Sequence, residues 1–557
     1  MTIQYSFIPG HAAMRHLECD LCLILVKNLN FIELFAGCGG LSLGLKSMGL
    51  RLVIANELSP MAAETYAYNF FDEDLSSQST QSKSQRQTLW ISSAYPPSEL
   101  INRLRENPFN FPKIEEGFSD LPKDGELDGK LLVGNICELN KWIKQNPAAL
   151  KKIRTSFGRG EIDLISGGPP CQSFSMAGLR EKDSDKNSLP WEFATFAEHV
   201  KPKLILLENV SGILRPFKSD DGKRYFAWFE IAKAFVQIGY IPLCLHVNAK
   251  FVGVPQNRPR FVLLGIRIDL LDSLQKSLNS SEQTLLNRSI EFFYKERSNT
   301  CVDLSDLQCW DLSTTKDKSF IKETFLNPLI AQDTTVSVKE SIDDLRSNSK
   351  FDSKFKLYLT STFKKTINHK PLANHEFRTN SPVVRRRFRI YQILNKLNPN
   401  SRKGIVAVIK GTSSNISKEA WQDVKNFSFQ ISDIEAKIFI SKSEFINFIS
   451  NHKTKKRTQK ALVADQPAPA ALSIPDDACH YHSAELRTLS VREMARIQSF
   501  PDHFEFRSKI TTGGKMRRYE VPQYTQVGNA VPPLLGRALG QVALNLLKKI
   551  TNNTKGK

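Results

Sequence analysis

A single cysteine follows two glycines and two prolines in the stretch GGPPCQSFS, residues 167–175. The apolar run IDLIS directly before it has the composition of a buried strand. Glycines let the chain turn at the end of that strand, and the prolines stiffen the turn. Cys171 is thereby presented from a rigid loop, where a deprotonated thiol is a good nucleophile. The stretch favours a nucleophilic cysteine over the buried, inert cysteine that is more common in proteins.

Two further groups of reactive side chains adjoin apolar runs that are typical of strands. The run KLILL ends at Glu208, and PQNRPR places Arg258 and Arg260 two residues apart before FVLLG. Side chains two residues apart in an extended segment share one side, and guanidinium groups suit a phosphate or a base carbonyl. Glu208 could instead cap a helix, and the arginines could form a solvated edge. A thiol, a carboxylate and two guanidinium groups at one place favour a catalytic site.

A glycine-rich turn, FAGCGG, follows the first predicted strand and opens a helix. Gly37 and Gly39 allow a tight turn and the close approach of a nucleotide-like ligand, although such turns also occur without one. Glu57 stands at the end of the second strand, about 20 residues on, where a carboxylate can hold ribose hydroxyls. Because the spacing differs from that of dinucleotide sites, we expect a nucleoside-type cofactor without a pyrophosphate.

The elements that must position these residues alternate between short apolar runs and amphipathic runs. This alternation predicts a doubly wound, mostly parallel α/β sheet, in which ligands bind at the carboxyl ends of the strands. The predicted strands are NFIELFAG, RLVIANE, KLLVGNI, IDLISGG, KLILLENV, IPLCLHVNA and RFVLLGIR, and the predicted helices are LSLGLKSMG, PMAAETYAYNF, LNKWIKQNPAAL and RYFAWFEIAKAFVQIGY.

The sequence divides into four regions. Residues 1–29 form an N-terminal extension, and residues 30–267 form the catalytic domain, with a polar insertion at about 71–130 that we expect to loop from the sheet edge and to be partly disordered. In residues 268–483 the alternation fades and basic runs such as SPVVRRRFRIYQILNKL occur, which indicates a second, smaller domain. Residues 484–557 end in a helix with one apolar face, which we expect to dock on the first domain and complete it.

Composition limits the classes of function. The chain has 557 residues, 41% of them hydrophobic, and 77 Lys+Arg against 57 Asp+Glu give a net charge of +20. Such a charge favours a polyanionic partner such as nucleic acid, although basic proteins of other kinds exist. Nine scattered cysteines do not form a disulfide framework, and this favours the reducing cytoplasm. We predict neither a signal peptide nor a membrane span, and no metal site, because the Cys19–Cys22 pair lacks a second pair.

In the order FAGCGG, GGPPCQSFS, ENV, PQNRPR, RTLSVREMARIQSFP and QVGNAVPP, the motifs resemble those of the DNA cytosine-5 methyltransferases. The resemblance covers about residues 30–267 and 484–545, and it makes residues 268–483 a target-recognition domain. It implies transfer of a methyl group from S-adenosylmethionine to carbon 5 of cytosine in double-stranded DNA, with the base turned out of the duplex. We expect a cytoplasmic, nucleoid-associated prokaryotic monomer without membrane contact, paired with a restriction endonuclease of the same specificity.

The resemblance also assigns catalytic roles residue by residue. Cys171 would add to carbon 6 of cytosine, and Glu208 would hold or protonate ring nitrogen 3. Arg258 and Arg260 would contact the base carbonyl and a nearby phosphate. The SVRE motif supplies two residues that would brace the second domain, namely Arg492 and Glu493.

The cofactor pocket follows from the same resemblance. Its expected members are Phe35, Gly37, Gly39, Glu57, Asn529 and Val531, with Glu57 on the ribose. One position departs from the pattern, because Asn135 in VGNICEL stands where the family usually has an aspartate for the adenine amino group. An asparagine oxygen can still accept that hydrogen bond, so we expect Asn135 to belong to the pocket with an altered contact.

Contacts to DNA are expected outside the catalytic motifs as well. Basic residues of the second domain would contact phosphates, while other residues there would read base edges in the major groove. The arginine run of that domain also fits a solvated helix face. The residues expected to contact the substrate are Gln256, Arg385 and Arg387, with Arg386 and Arg389 as further candidates for phosphates.

Three other functions compete with DNA cytosine-5 methylation. A branch of the same family methylates cytosine in tRNA, but the large second domain favours the reading of a DNA sequence. A regulatory DNA-binding protein on an inactive scaffold is disfavoured because Cys171, Glu208, Arg258 and Arg260 are all present. Methylation of an amino group is disfavoured because that chemistry typically uses a Pro-Pro-Tyr or Pro-Pro-Trp loop, and here a cysteine follows the prolines.

Overall fold

The computed structural model describes most of the chain, but several sequence predictions fall outside the described residues. These include the nucleophile Cys171, the Cys19–Cys22 pair, nearly all of the N-terminal extension and residues 78–85 of the polar insertion. No helix in the described part is long and apolar enough to cross a membrane. The described residues are 29–77, 86–170, 189–218, 224–298, 300–331, 334–364, 371–454, 459–470 and 472–551.

Strands and helices alternate through the first half of the chain, and helices dominate the second half. In chain order the strands are β1 (Asn30–Leu34), β2 (Arg51–Glu57), β3 (Thr88–Trp90), β4 (Lys130–Val133), β5 (Leu164–Gly167), β6 (Leu204–Val210), β7 (Phe217–Lys218), β8 (Arg224–Tyr225), β9 (Tyr240–Asn248), β10 (Pro259–Arg267), β11 (Cys309–Asp311), β12 (Ser428–Gln430), β13 (Ala436–Ile438), β14 (Lys460–Ala461) and β15 (Ala478–Cys479). The helices are α1 (Gly40–Ser47), α2 (Pro60–Phe71), α3 (Leu100–Arg105), α4 (Ile136–Gln145), α5 (Pro147–Arg154), α6 (Leu189–Val200), α7 (Ala227–Gln237), α8 (Leu271–Gln275), α9 (Ser280–Arg297), α10 (Thr315–Ile321), α11 (Val338–Ile342), α12 (Lys354–Thr362), α13 (Pro382–Leu394), α14 (Pro399–Ile409), α15 (Lys418–Val424), α16 (Lys442–Ser450), α17 (Val491–Ile497), α18 (Gln523–Asn529) and α19 (Pro533–Thr551).

Nine strands of the described chain form one sheet in the order β11-β9-β10-β6-β5-β1-β2-β4-β3. Neighbouring strands are parallel except at β10, which runs antiparallel to both β6 and β9. Helices cover both faces, so alternate side chains of one strand enter different cores: Leu131 and Val133 face one core and Leu132 the other. Strands buried on both faces are apolar throughout, which explains the continuous apolar runs in the sequence. The predicted doubly wound, mostly parallel α/β fold is confirmed, with all seven predicted strands in the sheet.

The predicted insertion is packed against the edge of this sheet along its described residues. Its strand β3 pairs in parallel with β4 and extends the sheet by one strand. Arg103 is 1% exposed, and its guanidinium lies 2.6 Å from the carboxylate of Asp120. Residues 86–130 therefore contain regular structure that the sequence did not predict, because a polar composition concealed a buried ion pair and a short strand. The Ser/Gln-rich residues 78–85 lie outside the described part, so the expectation of partial disorder there stays a prediction.

The predicted domain boundary at residue 268 does not coincide with the change from one hydrophobic core to the next. Helix α9 packs on β9 and α7, and β11 pairs with β9. The chain directly after residue 268 therefore still belongs to the body built around the nine-stranded sheet, which we call the first body. Phe292 and Phe293 of α9 are buried in the core of this body, while many polar residues of the same helix face solvent. A separate core begins at Phe388 and contains residues of α13, α14, α15 and α16. That this second body recognises the target sequence stays a prediction.

The last helix returns to the first body. Helix α19 lies along α1, and no side chain fits at Gly44, where a Cβ would lie 2.4 Å from the backbone nitrogen of Arg537. Leu539, Val542 and Leu546 of α19 join the same core as Leu41 of α1. The segment that precedes α19, QVGNAVPP, is thereby held against the beginning of α1.

Candidate active site

The glycine-rich turn between β1 and α1 presents its backbone at the carboxyl end of the sheet. Phe35, Gly37 and Gly39 all have positive φ angles, of 55°, 57° and 96°. Around Gly37 no described atom lies within 4 Å of the place where a Cβ would be, so one side of the turn is open. A ligand can therefore approach this backbone closely, as the sequence predicted for a nucleoside.

The carboxylate of Glu57 is fixed beside this turn. Its two oxygens accept hydrogen bonds from the backbone N–H groups of Gly37 and Ser59, each at 2.7 Å. Burial raises the pKa of Glu57, and these backbone donors oppose the rise. A carboxylate held in this way still has free acceptor capacity, so the position fits the hydroxyl groups of a ribose.

The other predicted cofactor residues lie around the same turn. Asn135 follows β4, is exposed, and accepts a hydrogen bond from the backbone N–H of Cys137 at 2.9 Å, which caps α4. A Cβ at Gly40 would lie 2.2 Å from the carbonyl oxygen of Val531, so QVGNAVPP directly adjoins the start of α1. Asn529 ends α18 and is exposed. An open glycine turn, a fixed carboxylate and two exposed amides fit a nucleoside cofactor, although the oxygen of Asn135 already serves as a helix cap.

The loop that leads to Cys171 leaves the sheet beside Glu208. A Cβ at Gly168 would lie 3.0 Å from Oε2 of Glu208, and Asn209 donates a hydrogen bond to the carbonyl oxygen of Pro169 at 3.1 Å. Both contacts arise because β5 and β6 are parallel neighbours, with Gly167 paired to Leu207. Cys171 itself lies outside the described residues, but Gly168 and Pro169, which shortly precede it, adjoin Glu208 and Asn209.

Glu208 forms a buried ion pair with Arg260. Nε of Arg260 lies 2.6 Å from Oε1 of Glu208, and each side chain is only 10% exposed. The antiparallel register of β6 and β10 places Glu208 opposite Val262 and Val210 opposite Arg260, so the two charged residues lie diagonally on one face. Burial lowers the pKa of Arg260, whereas the nearby carboxylate opposes that shift. The guanidinium orients the carboxylate in a nearly dry site, where hydrogen bonds to charged groups are strong.

Arg258 contacts the backbone of a remote segment in the structure, whereas the sequence predicted a contact with the substrate. Its side chain is 3% exposed, and Nη2 donates to the carbonyl oxygens of Gly528 and Ala530 at 2.8 and 3.0 Å. These two carbonyls flank Asn529, one of the predicted cofactor residues. Burial lowers the pKa of Arg258. Within the described part of the chain, Arg258 therefore connects β10 to the QVGNAVPP segment, and its contact with a base or a phosphate stays a prediction.

The contacts of Arg258 lead us to predict that its replacement weakens cofactor binding. Replacing Arg258 with methionine would leave the carbonyls of Gly528 and Ala530 without their donor and would loosen the segment that contains Asn529. Since hydrogen bonds to charged groups contribute about 1.5–3 kcal/mol, we expect the Kd and KM for S-adenosylmethionine to rise by about tenfold or more. Equilibrium binding of the cofactor and steady-state kinetics measure both constants.

A matched control for this change lies on the same strand. Arg267 ends β10 and pairs with the exposed carboxylates of Glu161 and Asp269, so Arg267→Met should leave both constants unchanged. An Arg258→Met enzyme with unaltered cofactor affinity but a lower kcat would contradict the connecting role and favour direct contact with the base.

Gln256 is an internal residue in the structure rather than a contact for substrate. Its side chain is fully buried, and Nε2 donates to the carbonyl oxygen of Pro469 at 2.9 Å. The backbone of Gln256 also forms a bridge with Ala468. The predicted substrate contact is therefore corrected, because this side chain is occupied in attaching residues 468–470 to the base of β10.

The arginines of α13 combine internal contacts with partial exposure. Arg387 donates to the carbonyl oxygens of His452 and Lys453, at 3.1 and 3.0 Å. Arg385 lies 3.4 Å from the carboxylate of Asp433 and remains 41% exposed. These contacts fix the helix within the second body, and phosphate contacts by Arg385 and Arg387 stay a prediction.

Residues 484–557, which we call the return segment, contain two further buried arginines for which the sequence predicted no role. Arg487 binds both carboxylate oxygens of Glu493, at 2.7 and 2.8 Å, and Arg496 binds Asp344 and Asp502. Arg492 donates to the carbonyls of residues 373, 501 and 504. The motif RTLSVREMARIQSFP contains both Arg487 and Arg496, but the sequence does not show their partners, which only the fold brings together.

The sheet is mostly parallel and has helices on both faces, and groups suited to a nucleoside lie at the carboxyl ends of β1 and β2. Together these features define the Rossmann-like fold of S-adenosylmethionine-dependent methyltransferases. Among these enzymes, the chain belongs to the family of C-5 cytosine-specific DNA methylases, whose sequence model matches residues 29–91 and 139–545. It is therefore a DNA (cytosine-5-)-methyltransferase, and the family implies S-adenosylmethionine as the methyl donor and DNA as the substrate.

Several DNA methyltransferases are similar to this chain, and two Type II enzymes among them match it over nearly its whole length. The Type II methyltransferase M.DdeI of Desulfomicrobium norvegicum is 24% identical over 516 residues, which cover 92% of this chain and 88% of that protein. The Type II methyltransferase M.XorII of Xanthomonas oryzae pv. oryzae is 23% identical, with 93% and 85% covered. The orphan methyltransferase M.SPRI of Bacillus phage SPR is 32% identical over 238 residues, which cover 38% of this chain and 52% of that protein.

Proposed function

We propose that the enzyme methylates cytosine within one short sequence of double-stranded DNA, through a covalent adduct of Cys171 with a base that is turned out of the duplex. The buried Glu208–Arg260 pair beside the loop of Cys171 is the observation that carries this proposal. A carboxylate that is held in a dry site at the entrance of the nucleophile's loop suits the polar edge of a single base. A stacked base could not reach it, so the base must leave the duplex.

The chemistry follows from the low reactivity of carbon 5 of cytosine. Addition of the Cys171 thiolate to carbon 6 moves electron density to carbon 5, so that a difficult step is divided into easier ones. S-adenosylmethionine supplies the methyl group. The carboxyl of Glu208, protonated or sharing a proton with the base, holds ring nitrogen 3 and accommodates the charge that the addition creates. Loss of the proton from carbon 5 then expels the thiol and restores the aromatic ring.

The cofactor assignment rests on this chain's own residues. Glu57 would accept hydrogen bonds from the ribose hydroxyls, and the backbone of Phe35, Gly37 and Gly39 would line the same ligand. The amide of Asn135 would contact the adenine, while Asn529 and Val531 would close the opposite side. The open space at Gly37 and the fixed carboxylate of Glu57 support this arrangement.

We also propose that the enzyme is the protective half of a restriction–modification pair. The relatives that match nearly the whole chain are Type II methyltransferases, and the second body is large enough to select a sequence. Arg385 and Arg387 would contribute phosphate contacts there. The enzyme would act as a monomer in the cytoplasm of a prokaryote, at the nucleoid, beside an endonuclease of the same specificity.

Bisulfite sequencing tests the proposal directly. The purified enzyme is incubated with S-adenosylmethionine and a duplex of mixed sequence, and a parallel reaction without the cofactor is the control. We expect 5-methylcytosine at one position of one short motif and nowhere else. Methylation of tRNA with no methylation of duplex DNA would contradict the proposal in favour of an RNA substrate, and cofactor binding without methylation of either would favour an inactive scaffold.

A further inference from the structure

Three isoleucines of the second body face solvent to an unusual degree. Ile434 is 98% exposed, Ile440 is 92% exposed and Ile438 is 54% exposed. Isoleucine is among the residues that are most often buried, and neighbouring exposed apolar side chains mark a surface that binds something. All three lie in the segment 428–440, which we call the isoleucine hairpin.

The isoleucine hairpin is held rigidly by its opposite face. Strands β12 and β13 pair in antiparallel fashion, and the N–H of Ile431 donates to the carbonyl oxygen of Glu435 at 3.0 Å to close the turn. Phe429 and Phe439 are 2% and 5% exposed. Their rings pack against aromatic rings of α16, with centroids 5.2 Å from Phe445 and 4.9 Å from Phe448, respectively. The apolar face is therefore set in place before any partner binds.

The surroundings of the isoleucine hairpin are strongly basic. Residues 381–454 contain 13 lysines and arginines against five aspartates and glutamates. Arg389 of the arginine helix α13 donates to the carbonyl oxygen of Ser428 at 3.2 Å, and Arg385 lies 3.4 Å from Asp433 at the tip. An apolar ribbon beside a cluster of cationic side chains complements a polyanion with an apolar interior, which is the character of duplex DNA.

We propose that the isoleucine hairpin enters the major groove of the DNA, where Ile434 and Ile440 contact the methyl groups of thymines within the recognition sequence. The major groove admits a two-stranded ribbon, and the methyl group of thymine is the apolar group that base edges present there. The recognition sequence accordingly includes at least one A·T pair near the target cytosine. This inference rests on the proposed function and deepens it by assigning residues to the reading of the sequence.

Replacement of thymine by uracil in the substrate tests the contact without changing the protein. Once the methylated motif is known, each thymine in it is replaced singly by uracil, which lacks only the methyl group. For the wild-type enzyme we expect kcat/KM to fall by about fourfold at one or more positions, the effect of losing one buried methyl group. A motif without A·T pairs, or uracil duplexes that are methylated as well as thymine duplexes at every position, would overturn the inference.

A double variant assigns the effect to the hairpin. Ile434→Ser combined with Ile440→Ser should lower kcat/KM on the thymine duplex by at least the same factor and should no longer distinguish uracil from thymine. Leu357→Ser is the control, because Leu357 is 56% exposed on α12, outside the second core. A double variant that keeps the full uracil effect would overturn the inference. A double variant that binds DNA as the wild type does, but no longer self-associates in light scattering, would overturn it as well. The proposed function fails separately, if the wild-type enzyme does not methylate the thymine duplex.

Discussion

Replacing Cys171 with serine is expected to abolish methyl transfer while cofactor binding and duplex binding remain. A hydroxyl is a far weaker nucleophile than a thiolate at neutral pH, so a serine at this position should not add to carbon 6 at a useful rate. Removal of a covalent nucleophile lowers kcat by about 10⁴-fold or more. The measurement is the rate of methyl incorporation into a duplex that contains the motif, together with the Kd for S-adenosylmethionine.

Two controls make this result specific. Cys301→Ser alters an exposed free cysteine and should behave as the wild type does. A duplex with 5-fluorocytosine at the target position has no carbon 5 proton to lose, so the wild-type enzyme should remain bonded to it and migrate as a complex in denaturing gels. Cys171→Ser should give no such complex. A Cys171→Ser enzyme that methylates DNA at the wild-type rate would refute the covalent mechanism.

The sequence alone was sufficient for the parts of the fold that repeat a simple pattern. Continuous apolar runs identify strands such as β1, β5 and β6, because these strands are buried on both faces of the sheet. The turn residues after them follow from the glycines and prolines that the backbone needs at those places. Consequently the carboxyl edge of the sheet, with Glu57 and Glu208, could be predicted before the structure was known.

Long-range partners could not be predicted in the same way. Arg258 and Arg260 have the same side-chain type and lie two residues apart, yet one donates to backbone carbonyls of the return segment and the other binds Glu208. That difference depends on how residues 528–530 pack against β10, which no local pattern records. The internal position of Gln256 has the same cause, because its partner Pro469 lies in a remote segment.

Polar composition conceals buried side chains at two places in the chain. In the insertion, Arg103 and Asp120 look like surface residues but form a buried pair. In α9, the buried apolar side chains are Leu285, Leu286, Phe292 and Phe293, while most other residues of the helix are polar. A few apolar side chains suffice to attach a helix to a sheet, so an average over a segment hides them.

Replacing Glu208 with glutamine is expected to lower kcat strongly with little effect on the binding of DNA. Glutamine has nearly the same size, and its oxygen can still accept the hydrogen bond from Nε of Arg260, so the buried pair keeps its shape. The amide cannot hold or deliver a proton at ring nitrogen 3 as a carboxyl can. Since a positioned acid or base contributes about 10²–10⁴-fold, we expect a loss of that order in kcat, measured as single-turnover methyl transfer.

The opposite end of the same sheet provides a matched control. Asp163 directly precedes β5 and forms a buried ion pair with Lys203 at 2.8 Å, so Asp163→Asn removes a comparable charge far from the carboxyl edge. That change should lower the free energy of unfolding and leave kcat unaltered. If Glu208→Gln instead reduced stability as Asp163→Asn does but kept kcat within about threefold of the wild type, the pair with Arg260 would be structural. A loss of kcat with unchanged stability, by contrast, would show that the carboxyl acts in the reaction rather than in support of the fold.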